Sequence, residues 1–474
     1  MSQDTTPSTG QTEHPPAESP QSTPGLAVKV AVPRAVFTLA IPVLAEQFLN
    51  SLVGITDVYL AGRLSVDATA AIGLAAYVAW LISMLFMLVG TGTTALVARF
   101  TGSAQPDRAN HFANQSLGLA VAMGLAAVGL VYVLAPVFAN LQNMTGTTYD
   151  IVVRYLRIDG AAHVFTSVTL IGSAALRGVG DMRTPLKILS VVNIANLIIS
   201  CTLVFGLGPI PPLGVDGIVI GTVAGRVIGG LLTINVLLKG RSGLKITADS
   251  LRPDLASTQR ILHIGGPAAL DGAVMWSGHF VYLMIIANLA EGHLGQAYYA
   301  AHIIGVRIEA LTYLPAVAWA AATATIVGQS LGANDPRRAV SAGHQAVLQC
   351  SVLAVALVAF YYFGADFIFR IMHKDELVQQ VGPPAFRMLA FFQIFLTTSI
   401  IYVGALRGAG DTRVPLLITI IGVGFVRLPI GYFFGIVLGK GLIGAWMGMC
   451  ADMVVRALLA ALRFTRAKWI HTRV

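Results

Sequence analysis

The sequence predicts an all-helical membrane protein with twelve transmembrane helices, arranged as two six-helix bundles related by a pseudo-two-fold axis along the membrane normal. Three observations carry this prediction: the composition, a series of apolar segments and an internal repeat. Hydrophobic residues make up 55% of the chain and charged residues only 11%. A soluble protein has about 25% charged residues, because water must hydrate its surface. The composition therefore excludes a soluble enzyme, and lipid must cover most of the outer surface.

The apolar segments begin after a polar stretch, 1–28, whose Ser, Thr, Pro and Gln content predicts a disordered cytoplasmic tail. Each segment exceeds the roughly 20 residues that one helical crossing requires. In the first half of the chain they lie at 35–62, 70–98, 111–139, 151–176, 185–207 and 214–239. In the second half they lie at 259–290, 297–328, 338–370, 383–406, 414–438 and 441–464. The predicted domains are the tail at 1–28, an N-terminal bundle at 29–240, a cytoplasmic linker at 241–258, a C-terminal bundle at 259–466 and a cytoplasmic C-terminal tail at 467–474.

The basic residues are distributed unevenly between the loops on the two sides of the membrane. Of the 31 Lys and Arg residues, 20 fall in the loops on one side and 7 on the other. Short cytoplasmic loops are enriched in Lys and Arg, so we expect both termini in the cytoplasm and an even number of crossings. The location that follows is the cytoplasmic membrane, with lipids around the protein. The basic residues form no continuous stripe, so we expect no nucleic-acid partner despite the net charge of +9.

The three cysteines, Cys201, Cys350 and Cys450, lie inside apolar segments and form no CxxC motif. We interpret them as small buried hydrophobic residues, not as disulfides or metal ligands. We expect no metal, no organic cofactor and a monomer.

An internal repeat relates the two halves of the chain. Residues 175–186 read ALRGVGDMRTPL and residues 405–416 read ALRGAGDTRVPL, an offset of 230 residues. At the same offset, Gly102, Pro106 and Arg108 of an earlier loop recur as Gly332, Pro336 and Arg338. Because six is an even number of helices, both copies have the same orientation in the membrane, and a substrate site is expected between them. We interpret the two LRG elements as turns whose arginines face the cytoplasm, not as phosphate-binding loops.

Further motifs strengthen the pattern: the series Pro42, Asp57 and Gly62, the paired loops VARFTGSAQPDRA and VGQSLGANDPRRA, and the segment LGVDGI. In this order and spacing, over about residues 30–465, the chain resembles the multidrug and toxic compound extrusion (MATE) family of secondary transporters. The resemblance implies two six-helix bundles around a V-shaped, alternating-access cavity. It also implies a transporter, not an enzyme, that exports organic cations and amphipathic compounds, driven by inward flow of protons or sodium.

Asp57 lies within the first apolar segment, about fifteen residues beyond Pro42. A carboxylate inside a membrane is costly unless it is protonated, paired or hydrated, so such residues usually mark an ion or substrate path. Proton coupling needs a site that holds either a proton or a cation, but not both. The family's first-helix aspartate matches Asp57, which implies that this residue is the coupling carboxylate. The alternative is a structural carboxylate bonded to neighbouring backbone and hydroxyl groups.

Asn196 matches the family's asparagine in the fifth helix, and Ser200 stands where many members have an aspartate. Residues four apart share a helix face, so both could join a hydrogen-bond network around Asp57. For Asn196, ordinary hydrogen bonding between helices is the alternative. Sodium-coupled members often carry acids where this chain has Met275 and Leu396. Neither side chain offers the oxygen ligands that sodium needs, so the sequence favours protons.

Glu46 and Asp271 are repeat-related carboxylates, each one turn past a proline. They are candidate substrate-binding residues for a cationic compound, and the alternative is pairing with basic loops. Asp452 and Arg456 have the i, i+4 spacing of a structural ion pair. Asp159 and His163 have the same spacing and could form a proton relay, although a lone histidine on an apolar helix is more often structural. Arg307 and Glu309 are too close in sequence to share a helix face.

The resulting hypothesis is a proton-coupled multidrug exporter with Asp57 as its coupling residue. One alternative is a sodium-coupled exporter of the same family. Another is a flippase for lipid-linked saccharides, whose cavity would need several cationic side chains. Away from the segment ends, the basic residues within the segments are Arg226, Arg307, Arg427 and Arg456, and no basic cluster is apparent. A scaffold that transports nothing is the third alternative, and the repeat and Asp57 argue against it.

Overall fold

The computed structural model describes residues 30–142, 144–206, 211–247 and 252–472. In these ranges the chain forms α-helices joined by short connections, and no β-strand occurs there. The predicted tail at 1–28 lies outside the described residues. The helices of the first half are α1 Val32–Leu64, α2 Val66–Gly102, α3 Pro106–Leu141, α4 Gly146–Ala161, α5 His163–Gly178, α6 Arg183–Phe205 and α7 Val215–Leu238.

The helices of the second half are α8 Leu255–Ala287, α9 Gly292–Gly332, α10 Pro336–Met372, α11 Glu376–Ala390, α12 Gln393–Gly408, α13 Arg413–Val437 and α14 Gly441–Thr465. Within α13, the segments Ile420–Arg427 and Phe433–Val437 are π-helical. A short 3₁₀ turn, Arg241–Gly243, follows α7, and another, Lys468–His471, follows α14. The second half therefore begins its first helix inside the predicted linker, at Leu255 instead of residue 259.

Helix ends coincide with capping residues that the sequence supplies. Ser65 separates α1 from α2, and its hydroxyl accepts a hydrogen bond from the Ala68 amide at 3.0 Å. Asp335 precedes α10 and accepts from the Arg338 amide at 2.9 Å, next to a proline in the first turn. Such caps satisfy amide groups that have no partner inside the helix. They produce sharp reversals between consecutive long helices.

Ten helices of the described residues are long and apolar enough to cross a membrane. An eleventh crossing is α11 with α12, which are bent by 52° at a short break. In the first half, α4 and α5 occupy the corresponding place, because His163 and Gln393, which begin α5 and α12, are separated by the repeat offset of 230. With this pair the fold comprises twelve crossing elements, six in each half. The predicted fold class is confirmed.

Large apolar side chains cover the outside of the bundles. Examples are Phe363, Phe425 and Leu141, which are 80%, 72% and 71% exposed. A water-facing protein rarely exposes contiguous apolar surface on this scale. The exposed belt is the surface that contacts lipid, as the composition predicts.

The two bundles are joined at the end of the molecule where the described chain begins, at Val30, and ends, at Thr472. Helices alternate in direction, so the starts of α1 and α10 and the ends of α5 and α9 lie on this side. The Thr325 hydroxyl donates to the Arg177 carbonyl oxygen at 2.9 Å, and the Gln329 amide donates to the Gly178 carbonyl oxygen at 2.8 Å. Gly265 of α8 also packs directly against the α2 main chain. Small residues permit this close approach of helices in membranes.

Candidate functional site

A cavity of about 580 Å³ lies between the two bundles. Both halves contribute to its wall, as expected of a substrate site between parallel repeats. Most of the lining is apolar or aromatic and includes Phe86, Met87, Leu170, Tyr313, Val317 and Val403. Four charged residues also line it: Arg177, Asp271, Arg407 and Arg456. The cavity therefore combines an apolar body with a few fixed charges, which is the usual composition of a small-molecule site.

Glu46 and Asp271, the predicted substrate contacts, occupy equivalent places in the two halves. Glu46 forms an ion pair with Arg177, and Asp271 forms one with Arg407. Both arginines belong to the repeated LRG elements. The interpretation that these two arginines face the cytoplasm is wrong, because they line the central cavity. A substrate-binding role for the two acids stays a prediction: Asp271 lines the cavity, and Glu46 is buried beside Arg177.

The expectation that no basic cluster forms is also wrong. Folding brings Arg177, Arg407 and Arg456 to one cavity, although they are far apart in the sequence. Each guanidinium is paired with a carboxylate. In the two repeat-related pairs the arginine side chains are more exposed than their partners, at 22% against 10% for Glu46 and 26% against 6% for Asp271. The positive end of each pair thus contributes more surface than the negative end.

Asp57 of α1 lies among polar residues of the first bundle. The Thr222 hydroxyl of α7 donates to its Oδ2 atom at 3.5 Å, and the Asn196 amide of α6 donates to Thr222 at 3.1 Å. The second carboxylate oxygen, Oδ1, is buried and has no hydrogen-bond partner in the described part of the chain. Thr222 is the residue that sequence reasoning missed, because a single threonine in a largely apolar helix carries no signal of its own.

Asn196 is therefore connected to Asp57 through Thr222, whereas Ser200 is not. The Ser200 hydroxyl is buried, has no hydrogen-bond partner among the described residues and packs against Gly221 of α7. Both residues lie on the face of α6 that contacts α7, as their spacing predicts. A role for these three residues in ion coupling stays a prediction.

Two pairs predicted from i, i+4 spacing have opposite outcomes. Asp452 and Arg456 are paired, with Arg456 Nε 2.7 Å from Asp452 Oδ1. Asp159 and His163, for which a proton relay is the less favoured interpretation, are not bonded to each other: Asp159 pairs with Arg226 at 2.9 Å, and neither ring nitrogen of His163 has a hydrogen-bond partner among the described residues. The long, flexible guanidinium of Arg226 reaches Asp159 from a neighbouring helix.

A second buried polar group lies in the C-terminal bundle, around Asp452. Arg427, from the π-helical part of α13, also donates to Asp452, so one carboxylate binds two guanidinium groups. Glu309 of α9 lies beside this group, almost fully buried. The spacing of Arg307 and Glu309 argues against a pair between them, but no sequence pattern indicates the buried surroundings of Glu309.

Met275 and Leu396, the two positions that bear on the sodium alternative, supply no carboxylate. Met275 lines the cavity, and its sulfur lies 3.9 Å from Arg456 Nη1. Leu396 is buried in the core of the C-terminal bundle. Among the described residues, no three His, Cys, Asp or Glu side chains come together as a metal-binding group.

Comparison with known proteins finds one family model, MatE, which matches residues 42–202 and 267–433. The chain is 28% identical over 434 residues to a probable multidrug resistance protein NorM of Thermotoga maritima, covering 91% of this chain and 92% of that protein. It is 25% identical over 446 residues to the uncharacterized transporter YisQ of Bacillus subtilis, covering 92% and 95%. A third relative is an FAD transporter of Shewanella oneidensis, 28% identical over 315 residues, covering 63% and 67%.

Among solved structures, the fold matches an outward-facing multidrug resistance MATE family transporter of the MOP superfamily. The TM-score is 0.86 at 21% identity, covering 94% of this chain and 99% of that one. A MOP superfamily transporter from Pyrococcus furiosus, described as having a binding pocket of reverse polarity, matches with a TM-score of 0.86 at 21% identity, covering 96% and 99%. These likenesses establish the shared fold.

Proposed function

The chain belongs to the MatE family of multidrug and toxic compound extrusion transporters, and on this premise we propose that it is a secondary multidrug exporter. It extrudes amphipathic toxic compounds, organic cations among them, in exchange for protons. It works by alternating access in the cytoplasmic membrane, as a monomer with both termini in the cytoplasm. Curated relatives that match over most of their length are named as multidrug resistance proteins or transporters, and the alternatives differ in cargo or ion.

Support for alternating access comes from the position of the cavity. It lies between two repeats of equal orientation, and the hydrogen bonds of Thr325 and Gln329 join the bundles at the end that holds the termini. Two rigid bundles around a central site can expose that site to either side by rocking. The structure has the geometry of a state closed at the terminal end.

The observation that carries proton coupling is the poorly bonded carboxylate of Asp57. Among the described residues, one oxygen accepts a single long hydrogen bond from Thr222 and the other accepts none. An ionised carboxylate in this position lacks the bonds that would stabilise its charge, whereas a protonated carboxyl group needs fewer. The charges of Asp159 and Arg226 lie near by and are already paired with each other. Asp57 can therefore take up and release a proton without disturbing a structural ion pair.

The apolar and aromatic wall of the cavity supports an amphipathic cargo. Tyr313 and Phe86 can stack with flat or cationic compounds, and the two methionines, Met87 and Met275, adapt to different shapes. The Asp271 carboxylate lies at the cavity wall and can bind an organic cation that competes with Arg407 for it. This composition supports a broad substrate range.

The test is Asp57→Asn in everted membrane vesicles loaded with a proton gradient. We expect loss of proton-driven efflux, with normal amounts of protein in the membrane. The exposed aspartate Asp150 supplies a matched control, and Asp150→Asn should transport normally. Undiminished efflux by Asp57→Asn would contradict the role of Asp57. Transport in proteoliposomes under separate proton and sodium gradients tests the coupling ion, and a strict sodium requirement would contradict the proposal.

One observation favours a second candidate, an anionic cargo such as a lipid-linked saccharide or a nucleotide-like molecule. Arg177, Arg407 and Arg456 line the cavity, and guanidinium groups bind phosphates well. One relative of this chain is named an FAD transporter. Thermal-shift measurements with ethidium, FAD and a lipid-linked saccharide distinguish the candidates. Stabilisation by ethidium alone favours the exporter of cations, and stabilisation by either phosphate compound alone favours the anionic cargo.

A further inference from the structure

Glu309 is a buried acid that the proposed coupling site does not use. It lies near the middle of α9 and is 5% exposed. The side-chain amide of Gln393, from α12, lies near its carboxylate, and the Oε1 atom has no hydrogen-bond partner among the described residues. An ionised carboxylate normally binds several donors when it is buried, because each unmade hydrogen bond is costly. Glu309 is therefore under-bonded for a permanent charge.

The neighbouring ion group contains two guanidinium groups, of Arg427 and Arg456, and one carboxylate, of Asp452. Arg427 Nε and Nη2 lie 3.0 and 2.5 Å from Asp452 Oδ2. Arg456 Nε lies 2.7 Å from Oδ1, and its Nη2 lies 2.8 Å from Oδ2. Asp452 thus accepts four hydrogen bonds and compensates one of the two positive charges. Glu309 is the acid that neutralises the other when it is ionised.

Two opposing effects therefore act on the proton of Glu309. The uncompensated guanidinium charge favours the ionised form through space. Burial and the missing hydrogen bond favour the protonated form. Such a balance allows a proton to bind and leave within the structure. A sodium ion would meet two guanidinium groups of the same sign, whereas a proton joins the carboxylate as a neutral group.

The titratable groups near Glu309 come from its own helix and from four neighbouring helices, α8, α10, α13 and α14. They are Tyr282, Tyr313, Tyr361, Arg427, Cys450, Asp452 and Arg456. His302 and His279 lie beyond Arg427. Two members of this set, Tyr313 and Arg456, also line the central cavity. Tyr313 is one helical turn from Glu309, so a proton that enters the cavity has a short path to the carboxylate.

The N-terminal bundle has a related organisation, in which one guanidinium instead of two pairs with the aspartate. Arg226 and Arg456 are separated by the repeat offset of 230, and each binds an aspartate. In each bundle an additional acid lies beside this ion pair: Asp57 in the first and Glu309 in the second. One carboxylate oxygen of each acid has no hydrogen-bond partner among the described residues. The two acids stand on helices that are not repeat-equivalent. The similarity is therefore one of arrangement in space.

From this arrangement we infer that Glu309 is a second proton-binding carboxylate of the transport cycle, so that each bundle carries one. The inference rests on the proposed proton-coupled function. In one orientation a proton from the cavity adds to the Glu309 carboxylate and forms the neutral carboxyl group. In the other orientation the carboxyl group releases that proton and the carboxylate is restored. Two protons then move for each substrate exported.

The direct test is infrared difference spectroscopy of the purified protein between mildly acidic and mildly alkaline pH. The carbonyl stretch of buried carboxyl groups reports their protonation and needs no substrate. We expect the titrating signal to fall by about half in Glu309→Gln, by about half in Asp57→Asn and to vanish in the double variant. The exposed acid Glu291, at the start of the same helix, gives the control Glu291→Gln, which should keep the full signal.

The second measurement is the number of protons exchanged per substrate in proteoliposomes, which should fall twofold in Glu309→Gln. An unchanged infrared signal and an unchanged proton count in Glu309→Gln would overturn the inference. If Glu309→Gln does not fold, the infrared signal of Asp57→Asn tests the inference instead. We expect about half of the titrating signal to remain in Asp57→Asn, from Glu309. A complete loss of that signal would exclude Glu309 as a proton-binding group. Wild-type transport without any proton requirement would overturn the proposed function instead. The infrared comparison would then still report whether Glu309 binds a proton.

Discussion

At the scale of single residues, the two repeat-related ion pairs at the cavity change what the LRG elements and the nearby acids are expected to do. Glu46 and Asp271 are acids at the level of the cavity, but each is bound by the arginine of its own LRG element. A cationic substrate reaches Asp271 only by displacing Arg407 or by adding to the pair from the side. Under the proposed function, we expect compounds that carry both charges to bind both members of the pair.

Asp181 provides a test at residue scale outside the membrane-spanning helices. It accepts hydrogen bonds from the Thr184 amide at 2.9 Å and from the Ser242 hydroxyl at 2.8 Å. Burial alone would raise the pKa of Asp181, but the hydrogen bonds from Thr184 and Ser242 and the charge of Arg241 outweigh it and lower that pKa. Its stabilising effect is therefore present above the ordinary aspartate pKa and is lost as the pH falls through the lowered value.

The expected consequence is a pH-dependent difference between wild type and Asp181→Ala. At neutral pH the variant should lose about 1 kcal/mol, the usual cost of removing a helix cap. At strongly acidic pH the difference should shrink, because the wild-type carboxyl group is then protonated. Thermal unfolding at several pH values measures this. Asp107→Ala, at an exposed position, is the control, and a pH-independent difference for Asp181→Ala would refute the sign.

Residues differ in how far the sequence predicts their roles. Asp57 was found because a single acid inside an apolar segment is conspicuous without any knowledge of its neighbours. Thr222 and Glu309 were not found, because their importance depends on partners from other helices. Gln393, Arg427 and Asp452, which surround Glu309, follow it by 84, 118 and 143 residues. No periodicity within one helix encodes such distances.

At the scale of elements, helix existence was predicted more reliably than helix shape. The apolar segments locate the crossings, but the predicted segment 383–406 is a bent pair that already begins at Glu376. Asp375 caps this start by accepting from the Leu377 and Val378 amides at 2.8 and 3.4 Å. The breaks between α4 and α5 and between α11 and α12 contain neither Gly nor Pro. Their bends come from packing in each bundle, which a one-dimensional pattern does not contain.

The contact between α2 and α8 gives a test at element scale. A methyl group at Gly265 would overlap the main-chain carbonyl of Leu88, whereas one at Gly266 meets nothing within 4 Å. Gly265→Ala should therefore destabilise the protein by about 1–3 kcal/mol, as overpacking does. Gly266→Ala, the matched control, should be neutral or stabilising by about 0.5–1 kcal/mol, because alanine favours the helix. Equal unfolding temperatures for both variants would contradict the close approach.

At the scale of the whole molecule, hydrogen bonds at the terminal end hold the bundles together. Removing both side-chain bonds with Thr325→Val and Gln329→Leu should cost the closed state about 2 kcal/mol, or about 30-fold in the ratio of closed to open molecules. Spin labels at the exposed residues Arg183 and Arg337, on opposite bundles, can report this by electron–electron distance measurement. We expect a longer distance to become populated in the double variant. An unchanged distribution would show that other contacts hold this end closed. Thr69→Val, at an exposed hydroxyl, is the control.

The length of α9 has a mechanical consequence. Its 41 residues make it about 60 Å long, well beyond the roughly 30 Å hydrocarbon thickness of a bilayer. Glu309 stands near its midpoint, Pro315 interrupts its backbone hydrogen bonding, and Thr325 and Gln329 lie toward its terminal end. A bend of only about 10° at Pro315 would displace the last turn by about 4 Å, enough to break both bonds. If Glu309 binds a proton as inferred, α9 therefore connects that event to the hydrogen bonds of Thr325 and Gln329. A small bend of this helix at Pro315 would open the terminal end.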